Sequence, residues 1–239
     1  MKPKDKILGI VGGMGSIASA SFLKDLMSES PAQNDQEYIE VIMHSNSKLP
    51  DRTEAILHNK ESPIKELKRS VELLENAGAD YILFECITAH YFAEEVIKEL
   101  KTAQFLDMID ITVDKIIEKN KDLQNVGILA TTGAVSAGLW QNSLKKHNLN
   151  SVLMDEKIHK QEFMKALYGK KGIKNNYITE RNRKKLLKCV KNLKQKNAGA
   201  VIAGCTEVPL VLKQKDVDIP FIDATEVTIE KILDIFYFS

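Results

Sequence analysis

The sequence predicts an α/β protein of two pseudo-symmetric lobes, each a mostly parallel sheet flanked by helices, with a cleft between them. Three observations point there. Short apolar runs alternate with longer segments of helical spacing, the βαβα order that covers a parallel sheet with helices on both faces. The main runs end in clusters of glycine, cysteine and threonine, where open α/β sheets hold ligands. Two landmarks also recur: Gly9-Ile10 lies 77 residues before Cys86, and Gly127-Ile128 lies 78 residues before Cys205.

Lys6-Ile7-Leu8-Gly9-Ile10-Val11 reads as a buried strand that breaks at Gly12-Gly13, and Ser16 to Leu26 takes up helical spacing. Tyr38 to Met43 predicts a second strand. A polar loop over His44 to Asn59 follows and holds Pro50-Asp51-Arg52-Thr53; a loop that long usually has a task. A helix over Ser62 to Asn76 stops at Gly78, and the strand Tyr81-Ile82-Leu83-Phe84 delivers Glu85-Cys86-Ile87-Thr88 at its C-terminal end. The second half repeats this grammar: strand Val126 to Ala130, turn Thr131-Thr132-Gly133, helices over Ser136 to Lys146, Asp155 to Tyr168 and Glu180 to Lys196, then strand Ala200 to Ala203 and Gly204-Cys205-Thr206-Glu207. Pro220-Phe221-Ile222 and a helix over Glu226 to Phe236 close the chain. The lobes are expected to be residues 1–108 with 223–239, carrying Cys86, and residues 109–222, carrying Cys205.

At 239 residues the chain can bury a sizeable core, and 44% hydrophobic with 28% charged residues is the balance of a folded globular protein. A net charge of +1 projects no strong field toward nucleic acid or an anionic membrane, which leaves small-molecule chemistry. No apolar run approaches the roughly 20 residues of a membrane span, and Met1 to Lys6 leads straight into a strand, so a cytoplasmic protein is expected. The three cysteines, at 86, 189 and 205, form no close-spaced pair, as in a reducing compartment. From Lys165 to Lys196 there are twelve basic residues and one acid, Glu180. Leu186, Leu187, Val190 and Leu193 share one helical face there, so the charge reads as a solvated surface rather than a nucleic-acid face.

The halves can be laid over one another. Asn76-Ala77-Gly78-Ala79 recurs as Asn197-Ala198-Gly199-Ala200, each followed by an apolar strand and a cysteine. Equivalent strand ends of duplicated lobes could face each other across a cleft, one thiol on each side of a bound molecule. Two bases on opposite faces suit inversion of a carbon centre, with a proton removed on one side and returned on the other. Cys189, on the apolar face of its helix, reads as a core residue.

Further segments carry a family likeness. They are Gly12-Gly13-Met14-Gly15, Pro50-Asp51-Arg52-Thr53, Cys86-Ile87-Thr88-Ala89-His90, Tyr168-Gly169 with Gly172-Ile173-Lys174, and Gly204-Cys205-Thr206-Glu207-Val208-Pro209-Leu210. In these the chain resembles the aspartate/glutamate racemase family, and more closely its aspartate-racemase and broad-specificity branch. Ser16 replaces a family proline, Ile87 an asparagine that helps hold the α-amino-acid group, and Ala134 a hydroxyl residue. The resemblance implies a racemase that needs no cofactor and no metal, acts on aspartate, glutamate or a wider set, and uses Cys86 and Cys205 as its two bases. It implies Arg52 and Lys174 for a side-chain carboxylate, Asn46, Thr88, Thr131, Thr132 and Thr206 as donors to the α-carboxylate or amine, and backbone donors near Met14. Glu207 and His90 follow the cysteines closely enough to tune them. Helices after both cysteines are expected to help hold a thiolate. A homodimer is the family's usual assembly. A maleate isomerase or malonate-type decarboxylase on the same scaffold, or an amino-acid-binding protein with little turnover, are the rival readings.

Two other patterns carry less. Cys86 and His90 alone do not make a zinc cluster, and a Cys-His hydrolase would leave Cys205 unexplained. Gly13-Met14-Gly15-Ser16-Ile17-Ala18 fits a dinucleotide fingerprint formally. The second strand, however, ends at Met43-His44-Ser45 and not in the acid that a nicotinamide ribose needs.

Overall fold

Two four-stranded sheets, parallel throughout, carry the fold of this computed structural model, which describes residues 1–120 and 122–238. The first sheet is formed by β1 (Ile7–Gly12), β2 (Glu40–Ser45), β3 (Tyr81–Phe84) and β4 (Gln104–Leu106) in the order β2-β1-β3-β4. Its connections carry α1 (Ser16–Glu29), α2 (Arg52–His58), α3 (Ile64–Asn76) and, after a 3₁₀ turn over Ile87–Phe92, α4 (Ala93–Ile97). Helix α5 (Met108–Lys119) leads to the second sheet, β5 (Asn125–Ile128), β6 (Asn150–Val152), β7 (Ala200–Ala203) and β8 (Phe221–Asp223), ordered β6-β5-β7-β8. Here the connections hold α6 (Thr132–Ser136), α7 (Leu139–Lys146), α8 (Glu156–Ile158), a π-type turn over His159–Met164, α9 (Lys165–Tyr168) and α10 (Glu180–Gln195); α11 (Ala224–Leu233) follows β8. In each sheet the chain order reverses between the two central strands. The switch points are therefore the C-terminal ends of β1 and β3, and of β5 and β7.

The duplication is strict where the site is built, and it corrects one expectation. Gly9 pairs with Ile82 and Gly127 with Val201, and each cysteine lies four residues beyond that partner. The two Asn-Ala-Gly-Ala segments, by contrast, are not equivalent. The left-handed residue that ends each helix is Gly78 (φ 95°) in the first copy and Asn197 (φ 65°) in the second, each eight residues before its cysteine. The sequence match is thus two residues out of register. Gly9 and Gly127 serve the same contact: a Cβ on Gly9 would meet Ala79 at 3.0 Å and Leu74 at 3.3 Å, and one on Gly127 would meet Ala198 at 3.1 Å and Leu193 at 3.2 Å. Helices α3 and α10 bury matching faces, Leu67, Ser70, Val71, Leu74 against Leu186, Cys189, Val190, Leu193. Cys189 takes the place of Ser70, and each side chain bonds the carbonyl four residues back. Cys189 is fully buried, and burial raises its thiol pKa to about 12, which suits an inert core residue.

Several boundaries differ from the sequence reading. The polar loop after β2 contains α2, because Asp51 accepts a hydrogen bond from Glu54 N (2.9 Å) and caps a new helix. Thr131-Thr132-Gly133 is the start of α6 rather than a free turn. One helix expected over Ser136 to Lys146 divides at Gly138, whose φ of 68° breaks the run. The edge strands β4 and β6 were not anticipated. Helices α5 and α11 pack on each other; α5 also touches α7, and α11 touches α1. One apolar core accordingly runs from Leu8, Ile10 and Phe22 through Val113 and Ile229 to Ile128, Trp140 and Ile202.

Candidate active site

The two switch points face each other. Between them lies a small cavity lined by Met14, Arg52, Thr53, Cys86, Ile87 and Thr88 from the first half, and by Thr131, Tyr168, Lys174, Cys205, Thr206 and Glu207 from the second. The thiols of Cys86 and Cys205 are free and buried. Of the eleven residues expected at the site, nine line this cavity; Asn46 and Thr132 do not.

Each lining group is held by local structure. Gly13 turns out of β1 with φ 86°, and a Cβ there would stand 2.7 Å from the Asn46 backbone, so the turn carrying Met14 requires glycine. Asn46 braces that turn from outside: its Nδ2 donates to Glu66 Oε2 (3.1 Å) and Ser70 Oγ (3.1 Å), and its Oδ1 accepts from Lys48 N (3.1 Å). These bonds leave it no free donor, which is why it stands behind the site. The Met14 carbonyl collects two cations, Arg52 Nη2 at 2.7 Å and Lys174 Nζ at 3.0 Å. Arg52 also donates to Pro50 O at 3.0 Å, while its Nε and the Thr53 hydroxyl, both buried, have no partner among the described residues. The hydroxyls of Thr88 and Thr131 meet at 2.9 Å across the cleft, and Thr131 also caps α6 by accepting from Ala134 N. Thr132 starts α6 outside the lining.

The two cysteines sit in unlike surroundings. Arg52 and Lys174 are both cations within electrostatic reach of Cys86. Cys205 instead donates its thiol proton to Glu207 Oε2 at 2.9 Å. Burial, and then the Glu207 charge, push the Cys205 thiol well above its ordinary range, with Lys174 opposing. Glu207, 2% exposed, forms a close ion pair with Lys174, whose ammonium lies 5.4 Å from the Tyr168 ring centroid. The expectation that helices after both cysteines would help hold a thiolate is not met: each cysteine is followed by a 3₁₀ turn, Ile87–Phe92 or Val208–Leu210. His90 does not line the cavity. Its ring bonds the Cys86 carbonyl through Nδ1 (3.0 Å) and accepts from Met108 N at Nε2 (3.3 Å), which ties the turn after β3 to the start of α5. Among the described residues no group of three His, Cys, Asp or Glu stands together as metal ligands would.

Sequence reasoning left Thr53 and Tyr168 without a site role, although both sit inside segments singled out there, while Ile87 lines the cavity where the family asparagine was expected to hold substrate. Glu85 and Ser19 carried no signal. Their significance comes from burial and mutual contact, which no spacing reveals.

A family model for Asp/Glu/hydantoin racemases matches residues 11–232. The chain belongs to this family. Family members are racemases, and their reaction class is isomerisation. An aspartate racemase of Picrophilus torridus superposes with a TM-score of 0.80 at 31% identity, over 96% of this chain and 93% of that one. The broad-specificity amino-acid racemase RacX of Bacillus subtilis is 23% identical over 223 residues, 92% of this chain and 93% of its own length. An aspartate racemase homologue of Pyrococcus horikoshii has the same fold, with a TM-score of 0.75 at 23% identity over 96% of this chain and 98% of that one. As in these racemase-family neighbours, two α/β halves make up the molecule.

Proposed function

We propose that this chain is a cofactor-independent amino-acid racemase that interconverts L- and D-aspartate through Cys86 and Cys205. The observation that carries the reading is the pair of equivalent strand-end thiols lining one cavity from opposite halves, the first facing a cation and the second donating to a carboxylate. That asymmetry supports a reading in which Cys205 is the acid and Cys86 the base. Cys86 thiolate removes the α-proton of one enantiomer, and Cys205 returns a proton to the opposite face and is left as thiolate. The other enantiomer uses the pair in reverse.

Abstraction of an α-proton beside a carboxylate builds negative charge, and the cavity meets it with Arg52, Lys174 and the hydroxyls of Thr53, Thr88, Thr131 and Thr206. Buried donors without partners, Arg52 Nε and Thr53 Oγ1, suit an acidic ligand, since such groups otherwise cost about 1–3 kcal/mol each. A substrate carboxylate takes Arg52 and Lys174 from the Met14 carbonyl, replacing a neutral acceptor with a charged one. The Pro-Asp-Arg-Thr segment and Lys174 favour aspartate over glutamate, and the likeness to the Picrophilus torridus aspartate racemase supports the same choice.

The test is proton exchange in deuterated water with L-aspartate and, separately, L-glutamate, followed by NMR at the α-position and by chiral analysis. Wild type is expected to exchange and invert aspartate, and Cys86→Ala and Cys205→Ala each to lose inversion by at least about 10²-fold. Absence of exchange with both amino acids would overturn the assignment, and conversion of maleate or decarboxylation of a malonate would replace it.

A further inference from the structure

Glu85 is fully buried beside Cys86 and does not line the cavity. The groups facing it are the Ser19 hydroxyl from α1, the Thr206 hydroxyl and the Glu207 carboxylate from the turn after β7, and the Lys174 ammonium, which is already paired with Glu207. Among the described residues no cation is left for Glu85. Its Oε1 makes no hydrogen bond, and its Oε2 lies 2.6 Å from Ser19 Oγ. Ser19 Oγ in turn accepts from Gly13 N at 3.0 Å and stands 3.1 Å from the Gly15 carbonyl. A hydroxyl has a single proton to give. If Glu85 carries its own proton and donates it to Ser19, the Ser19 proton goes to Gly15 and all three contacts are made at once.

We propose that Glu85 is a neutral carboxylic acid in the working protein, a positioning residue that leaves Lys174 and Glu207 as a balanced pair, and that its ionisation holds Cys205 as a thiol. With Glu85 neutral, the buried cluster beside Cys205 holds one positive and one negative charge. With Glu85 ionised it holds two negatives against one positive, and a thiolate at Cys205 becomes a third. Burial, with the neighbouring Glu207 charge adding to it, raises the Glu85 pKa to about 8 even though Ser19, Lys174 and Thr206 favour the ionised form. Proton uptake and release at Glu85 therefore fall within the pH range in which a thiol also titrates. An alkaline pH, which ordinarily frees a thiolate, would here work against the one at Cys205.

Two titrations of the chain's own groups test this, and neither depends on which substrate the protein takes. Infrared spectra of protein labelled at glutamate carboxyls are compared with those of Glu85→Gln. A protonated-carboxyl band is expected at neutral pH in wild type, fading around the titration of Glu85 and missing from the variant. The thiolate absorbance of Cys205, taken as the difference from Cys205→Ser, is expected to titrate at least about one pH unit lower in the Glu85→Gln background, a tenfold change in proton affinity. Should Glu85→Gln fail to fold, Ser19→Ala keeps the carboxyl and withdraws the acceptor of its proton, and the band should then shift to higher wavenumber. A neutral-pH band that Glu85→Gln leaves in place, a Cys205 titration identical in both backgrounds, or a band unmoved by Ser19→Ala would each overturn the proposal.

Discussion

At Gly204 a side chain has nowhere to go. An added Cβ would stand 2.4 Å from Trp140 Nε1, and that indole donates to the Gly204 carbonyl at 3.3 Å just before Cys205. Trp140 is fully buried in the shared core, so it has little room to yield. Gly204→Ala is expected to cost about 1–3 kcal/mol and to lower the melting temperature by several degrees; an unchanged Tm would mean that the indole moves freely. Buried acids make a second prediction. Burial raises Glu85 from 4.5 to about 8 and Asp223 from 3.8 to about 6, so the folded chain keeps protons that the unfolded chain has released. The sign follows: their contribution to stability falls as pH rises from the ordinary carboxylate range through the folded value, then levels off. The loss is roughly 1.4 kcal/mol for each pH unit between the unfolded and folded values. The Tm of Glu85→Gln relative to wild type should therefore climb between about pH 5 and pH 8 and stay flat above it. A difference that does not change with pH would show that Glu85 does not titrate on folding.

Among the elements, the duplicated halves use the same local chemistry to start their last helices. Asp107 accepts from Ile109 N (2.8 Å) and Asp110 N (3.2 Å) to cap α5, and Asp223 accepts from Thr225 N (2.9 Å) and Glu226 N (3.4 Å) to cap α11. Because α5 and α11 pack on each other, fraying of one exposes the other. Asp107→Ala is expected to lose about 1 kcal/mol, read as a lower denaturant midpoint with an unchanged slope. The basic segment expected to be a solvated surface is exposed in the fold, and part of it is ion-paired. Arg183 meets Glu180 and Asp216, Lys188 meets Glu162, and Lys194 and Lys196 meet Asp218 and Asp155. Longer elements were legible from period and caps, whereas β4 (Gln-Phe-Leu) and β6 (Asn-Ser-Val) are three residues each and open on polar residues, unlike the equally short β8 with Phe221-Ile222. Helix α2 carried a readable sign, Asp51 three residues before Glu54, but its short apolar stretch was outweighed by the polar run around it.

Across the whole molecule, the halves are closed on one another. The cavity between the cysteines has room of about 10 Å³, the space of a single water, so an amino acid enters only when the halves part or the lining moves. Several contacts set that closure: the Thr88–Thr131 hydroxyl pair, Gly15 against Glu207, and Gly133 against Thr53, where an added Cβ would lie 2.8 Å from Thr53 Oγ1 and 3.0 Å from its Cα. Gly133→Ala is expected to wedge the cleft and to speed alkylation of Cys86 and Cys205 several-fold while leaving Cys189 protected. Equal rates in wild type and variant would show that the closed state does not limit access.

The sequence by itself determined the α/β class, the duplication, the glycine turn and the two strand-end cysteines, because strand period, helix period and strand-end placement are local properties that spacing records. Tertiary structure alone decided the charges. Lys174 meets Met14 across 160 positions of chain and Glu207 across 33, and through-space burial surrounds Glu85 without a free cation, whereas Glu207 reaches Cys205 from two positions along the chain, as its spacing led one to expect. Asn46 fell on the structural side for the same reason: its neighbours Glu66 and Ser70 come from α3, and only their contact shows that its donors are already taken.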